Sequence, residues 1–413
     1  MKNKSIYPII ICFVLLFSVI IAAAAAVKGN TGESNILKTE NNSSTEDNAE
    51  PVINLDAKDE ETELRGVWIT YMDLCLQDGK RSEQDFREKF TDIADTCKNS
   101  GFNTLIVQVR PFSDSLYFSE IFPFSHIISG RQGEKTDYDP LKIMCEIAKS
   151  KDMSVHAWVN PYRIKLKETP ESLSDRNPYV INKELGVECD NGIYYNPALQ
   201  KVRDLIVSGV CEIVKNYDVD GVQFDDYFYP TEDESFDKEQ YEQYKATAKE
   251  PMSLSEWRKA NVNILIAQCY LELHKIKNDI QFGISPQGNI QNNSALGADV
   301  ISWCKNSGYI DYICPQLYYS TENPALTFED ALNQWMDLEY SGFCNLYIGL
   351  AGYKAGSDES DSGTWKGHDD ILADEIEILR KHSIVKGLML YSYDSLVNEQ
   401  SKDEIENVVK ILN

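Results

Sequence analysis

Residues that build metal and nucleophile sites are scarce in this chain. Histidine occurs five times in 413 residues, as His126, His156, His274, His368 and His382, and never as H-x-H or H-E-x-x-H. The ten cysteines contain no C-x-x-C, so a zinc cluster is not expected and no metal or cofactor is assigned. Cys12 lies in an apolar run; the other nine are scattered and read as small buried hydrophobes. G-x-S-x-G is missing, which removes the usual elbow of a serine hydrolase. Neither G-x-G-x-x-G nor G-x-x-x-x-G-K-[ST] follows the first apolar strand pattern, so a phosphate-cradling loop has no counterpart. Positive charge is also short: 40 Lys and Arg stand against 66 Asp and Glu, a net charge of −26. Nucleic acid and anionic lipid need a positive field, so neither is expected as a partner.

A long hydrophobic run occurs at the N-terminus, in "MKNKSIYPIIICFVLLFSVIIAAAAAVKGN". Two lysines precede apolar residues from Ile6 to Val27, and the run ends in alanines. This predicts a secretory signal peptide or an uncleaved signal-anchor over 1–28, since about 20 apolar residues suffice to span a bilayer. The remainder is expected outside the cytoplasm, secreted or held to the membrane by this segment alone. No cysteine follows where a lipobox needs one. Residues 29–62, "NTGESNILKTENNSSTEDNAEP" among them, hold too few apolar side chains to offset ordering entropy and read as a disordered acidic linker.

From residue 63 to 413 apolar runs alternate with helical patterns. Strands are expected at 64–70, 103–109, 153–159, 219–225, 280–285, 311–317, 346–350 and 385–392. Helices are expected at 82–100, 139–151, 198–217, 255–278, 295–306, 327–341 and 369–382. In the third helix Asn196 reads as the cap with Pro197 in the first turn, and Ser253-x-x-Glu256 is a capping-box pattern. Strands alternating with helices imply parallel pairing, and their number and spacing match an α/β (β/α)8 TIM barrel with enlarged βα loops at 160–196 and 226–254. A doubly wound open sheet is the runner-up. The chain is read as a monomer.

In a barrel, chemistry gathers at the C-terminal strand ends. Every such end here carries polar or aromatic residues: Tyr71 and Asp73; Gln108, Arg110 and Asp114; His156, Trp158, Asn160, Tyr162 and Arg163; Gln223 and Tyr227; Ser285 and Gln287; Gln316 and Tyr318; Tyr353 and Lys354; Tyr391, Ser392 and Asp394. The fourth end, "VDGVQFDDYFYP", places Asp225 beside Asp226. Side chains alternate along a strand, so Val222 and Phe224 suit the helix side while Gly221, Gln223 and Asp225 point inward. Asp225 could instead pair with Arg110 or His156 in a buried network. Trp, Tyr, Gln and Asn around two carboxylates suit a sugar, since rings stack on its C–H faces and amides meet its hydroxyls. Two carboxyl groups then supply the acid and its ionised partner for glycosidic cleavage. Substrate contacts are assigned to Arg110, His156, Trp158, Asn160, Tyr162, Arg163, Gln223, Tyr227, Gln287, Gln316, Tyr318 and Tyr391.

The segments "ELRGVWIT", "FNTLIVQVRP", "AWVNPYR", "YYNP", "DGVQFDDYFYP", "SPQGN", "CPQLYYS" and "GLMLYSYDS" resemble, in order, the glycosyl hydrolase-like 10 family. The resemblance covers nearly all of residues 61–413. It implies a (β/α)8 barrel and hydrolysis of glycan in the bacterial envelope, in a characterised branch peptidoglycan strands lacking their stem peptides. The motif carries over to Asp225 and Asp226, with Gln223 and Tyr227 beside them. By analogy with glycosidases that use the substrate's own acetamido group, the pair can suffice. Alternatively the second acid is Asp73, Asp114, Asp394 or a Glu from 231–256. A barrel that binds wall glycan without cleaving it, or a hydrolase of another exopolysaccharide, are the competing readings.

Overall fold

All eight expected strands form, and they run parallel in one closed barrel. The computed structural model describes residues 63–413 except Asp78, Asp190 and Asn191. The predicted leader (1–28) and linker (29–62) lie outside the described residues. In chain order the strands are β1 (Leu64–Ile69), β2 (Thr104–Arg110), β3 (Ser154–Val159), β4 (Arg163–Leu166), β5 (Gly186–Cys189), β6 (Gly192–Tyr195), β7 (Gly221–Phe224), β8 (Gln281–Ile284), β9 (Tyr312–Ile313), β10 (Asn345–Leu350) and β11 (Val385–Leu390). The barrel runs β1-β2-β3-β7-β8-β9-β10-β11 and closes where β11 pairs with β1, Leu64 opposite Gly387. Such strands are buried on both faces, which is why they read as nearly unbroken apolar runs.

The barrel interior is filled by Trp68, Ile106, Trp158, Tyr312, Cys314, Tyr347 and Met389. Large rings inside a small barrel need gaps opposite them. A Cβ on Gly221 would stand 2.6 Å from the His156 ring, and one on Gly283 would stand 2.1 Å from the Tyr312 ring. These glycines are therefore sockets for the rings of neighbouring strands.

The helices follow the expected pattern with local departures. Ser253 and Glu256 form the capping box that starts the helix Leu254–Ile276. The helix after β6 starts at Gln200, later than expected, with Leu199 at its cap position. Asn196 instead accepts from the Ala198 N–H at 3.0 Å, a local turn that competes with capping. The single helix expected over 295–306 is two, Ile290–Ala295 and Val300–Lys305. Gly297 separates them at φ +77°, and a Cβ there would meet Tyr229 at 2.8 Å.

The enlarged loops hold structure of their own. The antiparallel sheet β4-β6-β5 occupies the segment after β3, and the helix Lys238–Thr247 follows β7. Buried Arg258 ties down the second loop, bonding Asp237 at 2.6 Å and the carbonyls of Thr231, Glu232 and Asp233.

At the opposite mouth the two ends of the barrel meet. A C-terminal helix, Lys402–Leu412, packs on the helix Ile371–Arg380 and caps its start through Glu404, which accepts from the N–H groups of Ile371 and Leu372. Arg380 joins the start of the first strand to the last helix, donating to Glu63 at 2.7 Å and to the Ile411 carbonyl at 3.1 Å.

Candidate active site

Asp225 follows directly on β7, at the mouth of the barrel, and strand parity sets its direction. Gln223, two residues earlier, lies inside the barrel, accepting from Trp68 Nε1 at 2.6 Å and donating to the Tyr312 hydroxyl at 3.3 Å. Asp225 therefore also faces inward. It is 5% exposed, and Asp226 is 7% exposed. The Asn160 amide and Trp158 Nε1, the latter at 3.4 Å, both donate to Oδ2 of Asp225. Its Oδ1 is buried with no hydrogen-bond partner. Burial, then the charge of Asp226, pushes the Asp225 carboxyl up to about 7 against the opposing effect of Arg163.

Asp226 has different company. Gln316 Nε2 donates to its Oδ1 at 3.4 Å and is itself steadied by the Ser285 carbonyl at 3.0 Å. Burial raises its carboxyl as well, opposed by its own backbone N–H, Gln287 and Gln316. Burial thus raises both carboxyls, and their mutual repulsion favours holding a proton on the pair.

Both carboxylates line a cavity of about 260 Å³ with Trp68, Trp158, Tyr227, Ser285, Gln316, Tyr318, Tyr353 and Tyr391. Asp225 and Asp226 are its acidic lining residues. Tyr391 is the hub of the aromatic wall, with ring centroids 5.8 Å from Tyr318, 6.0 Å from Tyr353 and 6.0 Å from Trp68. Tyr227 stands at the rim, 52% exposed.

The structure thus brings Trp158, Tyr227, Gln316, Tyr318 and Tyr391 to the cavity with the aspartates. Asn160 and Gln287 reach the carboxylates themselves. Gln223 and His156 lie beneath the floor: His156 bonds the Tyr312 hydroxyl at 2.9 Å, and burial holds its imidazole down at about 4, hence neutral.

Arg110 and Tyr162 depart from the expected placement. A bulge between Gln108 and Arg110 breaks the strand alternation. Arg110 consequently leaves the interior, stands 4.5 Å from the Phe122 ring centroid and packs against Gly209 of the helix Gln200–Asn216. Tyr162 is fully buried near Arg203 of the same helix. Neither pairs with Asp225.

The other acids at the strand ends are engaged elsewhere. Asp114 is fully buried, bonded to Ser125 at 2.9 Å, to the Phe112 N–H at 3.3 Å and to His126 at 3.2 Å. Asp73 closes a capping box with Thr70, and Asp394 is exposed. Trp68 is a site residue that the strand-end survey misses, although parity with Gly66 and Thr70 places it inward on β1. Among the described residues no three His, Cys, Asp or Glu side chains converge in a metal-ligating arrangement.

Comparison with known proteins places these features in a family. YngK, a glycosyl hydrolase of Bacillus subtilis strain 168, is 33% identical over 356 residues, covering 81% of this chain and 69% of the relative. DigH, a glycosyl hydrolase of Escherichia coli K12, is 30% identical over 379 residues, 83% of this chain and 85% of the relative. Among solved structures, the PgaB (BpsB) glycoside hydrolase domain from Bordetella bronchiseptica matches with a TM-score of 0.58 at 12% identity, covering 85% of this chain and 99% of that one. Alpha-L-fucosidase isoenzyme 2 from Paenibacillus thiaminolyticus matches with a TM-score of 0.53 at 10% identity, over 84% of this chain and 49% of that one. At these identities the two structures share the fold. The family model matches residues 63–367, and the chain belongs to the glycosyl hydrolase-like 10 family.

Proposed function

We propose that this protein is an exported glycoside hydrolase that cleaves the glycan of bacterial cell-wall peptidoglycan, on strands freed of their peptides. The observation that carries the reaction class is the unequal pair. Asp225 keeps one buried oxygen without a donor, while Asp226 faces amide donors, in an aromatic cavity. Asp225 is the proton donor to the glycosidic oxygen. Asp226 stays ionised and orients the 2-acetamido group of the sugar, whose oxygen attacks the anomeric carbon as the bond to the leaving sugar breaks. Water then opens the cyclic intermediate, with Asp225 taking back a proton. The substrate assignment rests on the family resemblance and on the fit of acetamido sugars to such a pair.

Purified peptidoglycan sacculi, intact or first stripped by an amidase, test the reading. Soluble sugar fragments are expected from the stripped sacculi, and Asp225→Asn is expected to lower their release by about 10²–10⁴-fold. No soluble product from either substrate, or unchanged release by the variant, overturns it.

A further inference from the structure

The acid–base scheme leaves one cation of the cleft unused. Arg163 opens β4, just past the end of β3. Its Nε donates to the Pro111 carbonyl at 2.8 Å and one Nη to Asn160 Oδ1 at 3.0 Å. Its guanidinium carbon stands 4.8 Å from the centre of the Phe112 ring and 6.0 Å from that of Tyr227. The head is thus fixed in place, half-buried. Arg258 and Lys354, near the cleft loops, are matched by carboxylates, Asp237 at 2.6 Å and Asp361 at 2.5 Å. Among the described residues Arg110 and Arg203 are buried without an ion pair but turn away from the cavity, against the Phe122 ring and the Pro197 carbonyl. Among the described residues Arg163 forms no ion pair within 4.0 Å.

An unmatched guanidinium beside two carboxyl groups is a poor arrangement for acid catalysis alone. Its positive charge favours ionisation of Asp225, Asp226, Tyr227 and Tyr391 alike. A protonated donor is better served without it, unless the bound substrate brings negative charge of its own. The planar fork of arginine is also the side chain suited to a carboxylate, with N–H donors left over after Pro111 and Asn160 are satisfied.

We infer that Arg163 binds a carboxylate carried by the substrate sugar next to the scissile bond, so that this cleft selects glycans in which that carboxylate is free. The inference rests on the glycosidase reading of the cleft. The carboxylate can belong to a lactyl ether on an amino sugar or to a uronic acid, and the test separates these sources. Arg163 then works as a gate on charge: the correct substrate neutralises it, and the proton on Asp225 is retained where it is needed.

Four polymers discriminate: peptide-free peptidoglycan strands, the same strands with their carboxyl groups amidated by carbodiimide and ammonia, a polymer alternating N-acetylglucosamine with glucuronate, and neutral chitin oligosaccharides. The protein is expected to cleave free-acid strands with a kcat/KM about tenfold or more above the amidated ones, as a charge-assisted pair implies. Arg163→Gln is expected to fall further on the free-acid strands than on the amidated strands, and Arg163→Lys to keep part of the preference. Preferential cleavage of the glucuronate polymer would assign the uronic source. Equal rates on free and amidated strands overturn the inference while leaving the glycosidase standing. So does an equal fall on both in Arg163→Gln, since that is what mere support of Asn160 would give. Binding to Asp225→Asn, measured by calorimetry on free and amidated oligosaccharides, needs no turnover. Equal affinity there overturns the inference even if no polymer is cleaved.

Discussion

Asp225 shows how one carboxyl group is prepared by its neighbours. Burial and the charge of Asp226 raise it to about 7, while Arg163, Trp158 and the Tyr227 N–H pull the other way. In the proposed scheme the protonated form is the donor, so activity is expected to be lost as pH rises through about 7, with kcat/KM falling about tenfold per pH unit beyond it. A pH–rate profile flat from 6 to about 9 would remove Asp225 from the donor role. Its inward direction is legible in the sequence because alternation along β7 is regular from Gly221. Arg110, assigned to the cleft from its place at the end of β2, lies elsewhere because of the bulge after Gln108, which leaves no mark in the residues that form it. Tyr162 is misplaced for a related reason: beyond the end of β3 no period connects a residue's position to its direction.

At the scale of elements, the interior rings and the glycines opposite them form one device. Gly283 is the tightest socket: a methyl group there would have three atoms of the Tyr312 ring within 2.4 Å. Gly283→Ala is expected to destabilise the barrel by about 1–3 kcal/mol through overpacking, read as a lower urea midpoint with an unchanged slope. Tyr312 in turn holds Gln223 and His156, so the loss should carry into the floor of the cleft. The barrel strands are readable because both their faces are buried and their apolar runs are unbroken. The β4-β6-β5 sheet is not, because its strands are four residues each and largely half-exposed, without a clear period of two. The break at Gly297 escapes for the opposite reason: apolar and helix-forming residues continue across it, and only contact with Tyr229 requires the turn.

Over the whole molecule, the seam between the last two long helices carries an ionisable liability. Glu375 is fully buried, and neither of its carboxyl oxygens has a hydrogen-bond partner. Burial, then the charges of Glu404 and Asp361, hold it well above the usual carboxylate range. The unfolded chain therefore releases this proton at a lower pH than the folded one. Its contribution is neutral in acid and becomes increasingly destabilising as pH rises from the ordinary glutamate value toward the folded one. Glu375→Gln is expected to stabilise the protein by about 1–3 kcal/mol at pH 8 and by less at pH 5, measured by thermal or urea unfolding at both. An equal effect at the two pH values would show that its titration is not involved.

The clasp made by Arg380 has a consequence for the order of the chain itself. Glu63 and Ile411 meet in the reach of a single guanidinium, and β1 and β11 are already neighbours. In a chain trimmed to residues 63–413, a short glycine bridge from Asn413 to Glu63 would close the backbone into a ring at little entropic cost. Reopening that ring at the exposed Gly342–Phe343 turn would leave every barrel pairing in place. The cleft belongs to a circle of strands, and a circularly permuted chain that begins at Phe343 would still deliver Asp225 and Asp226 to the same mouth.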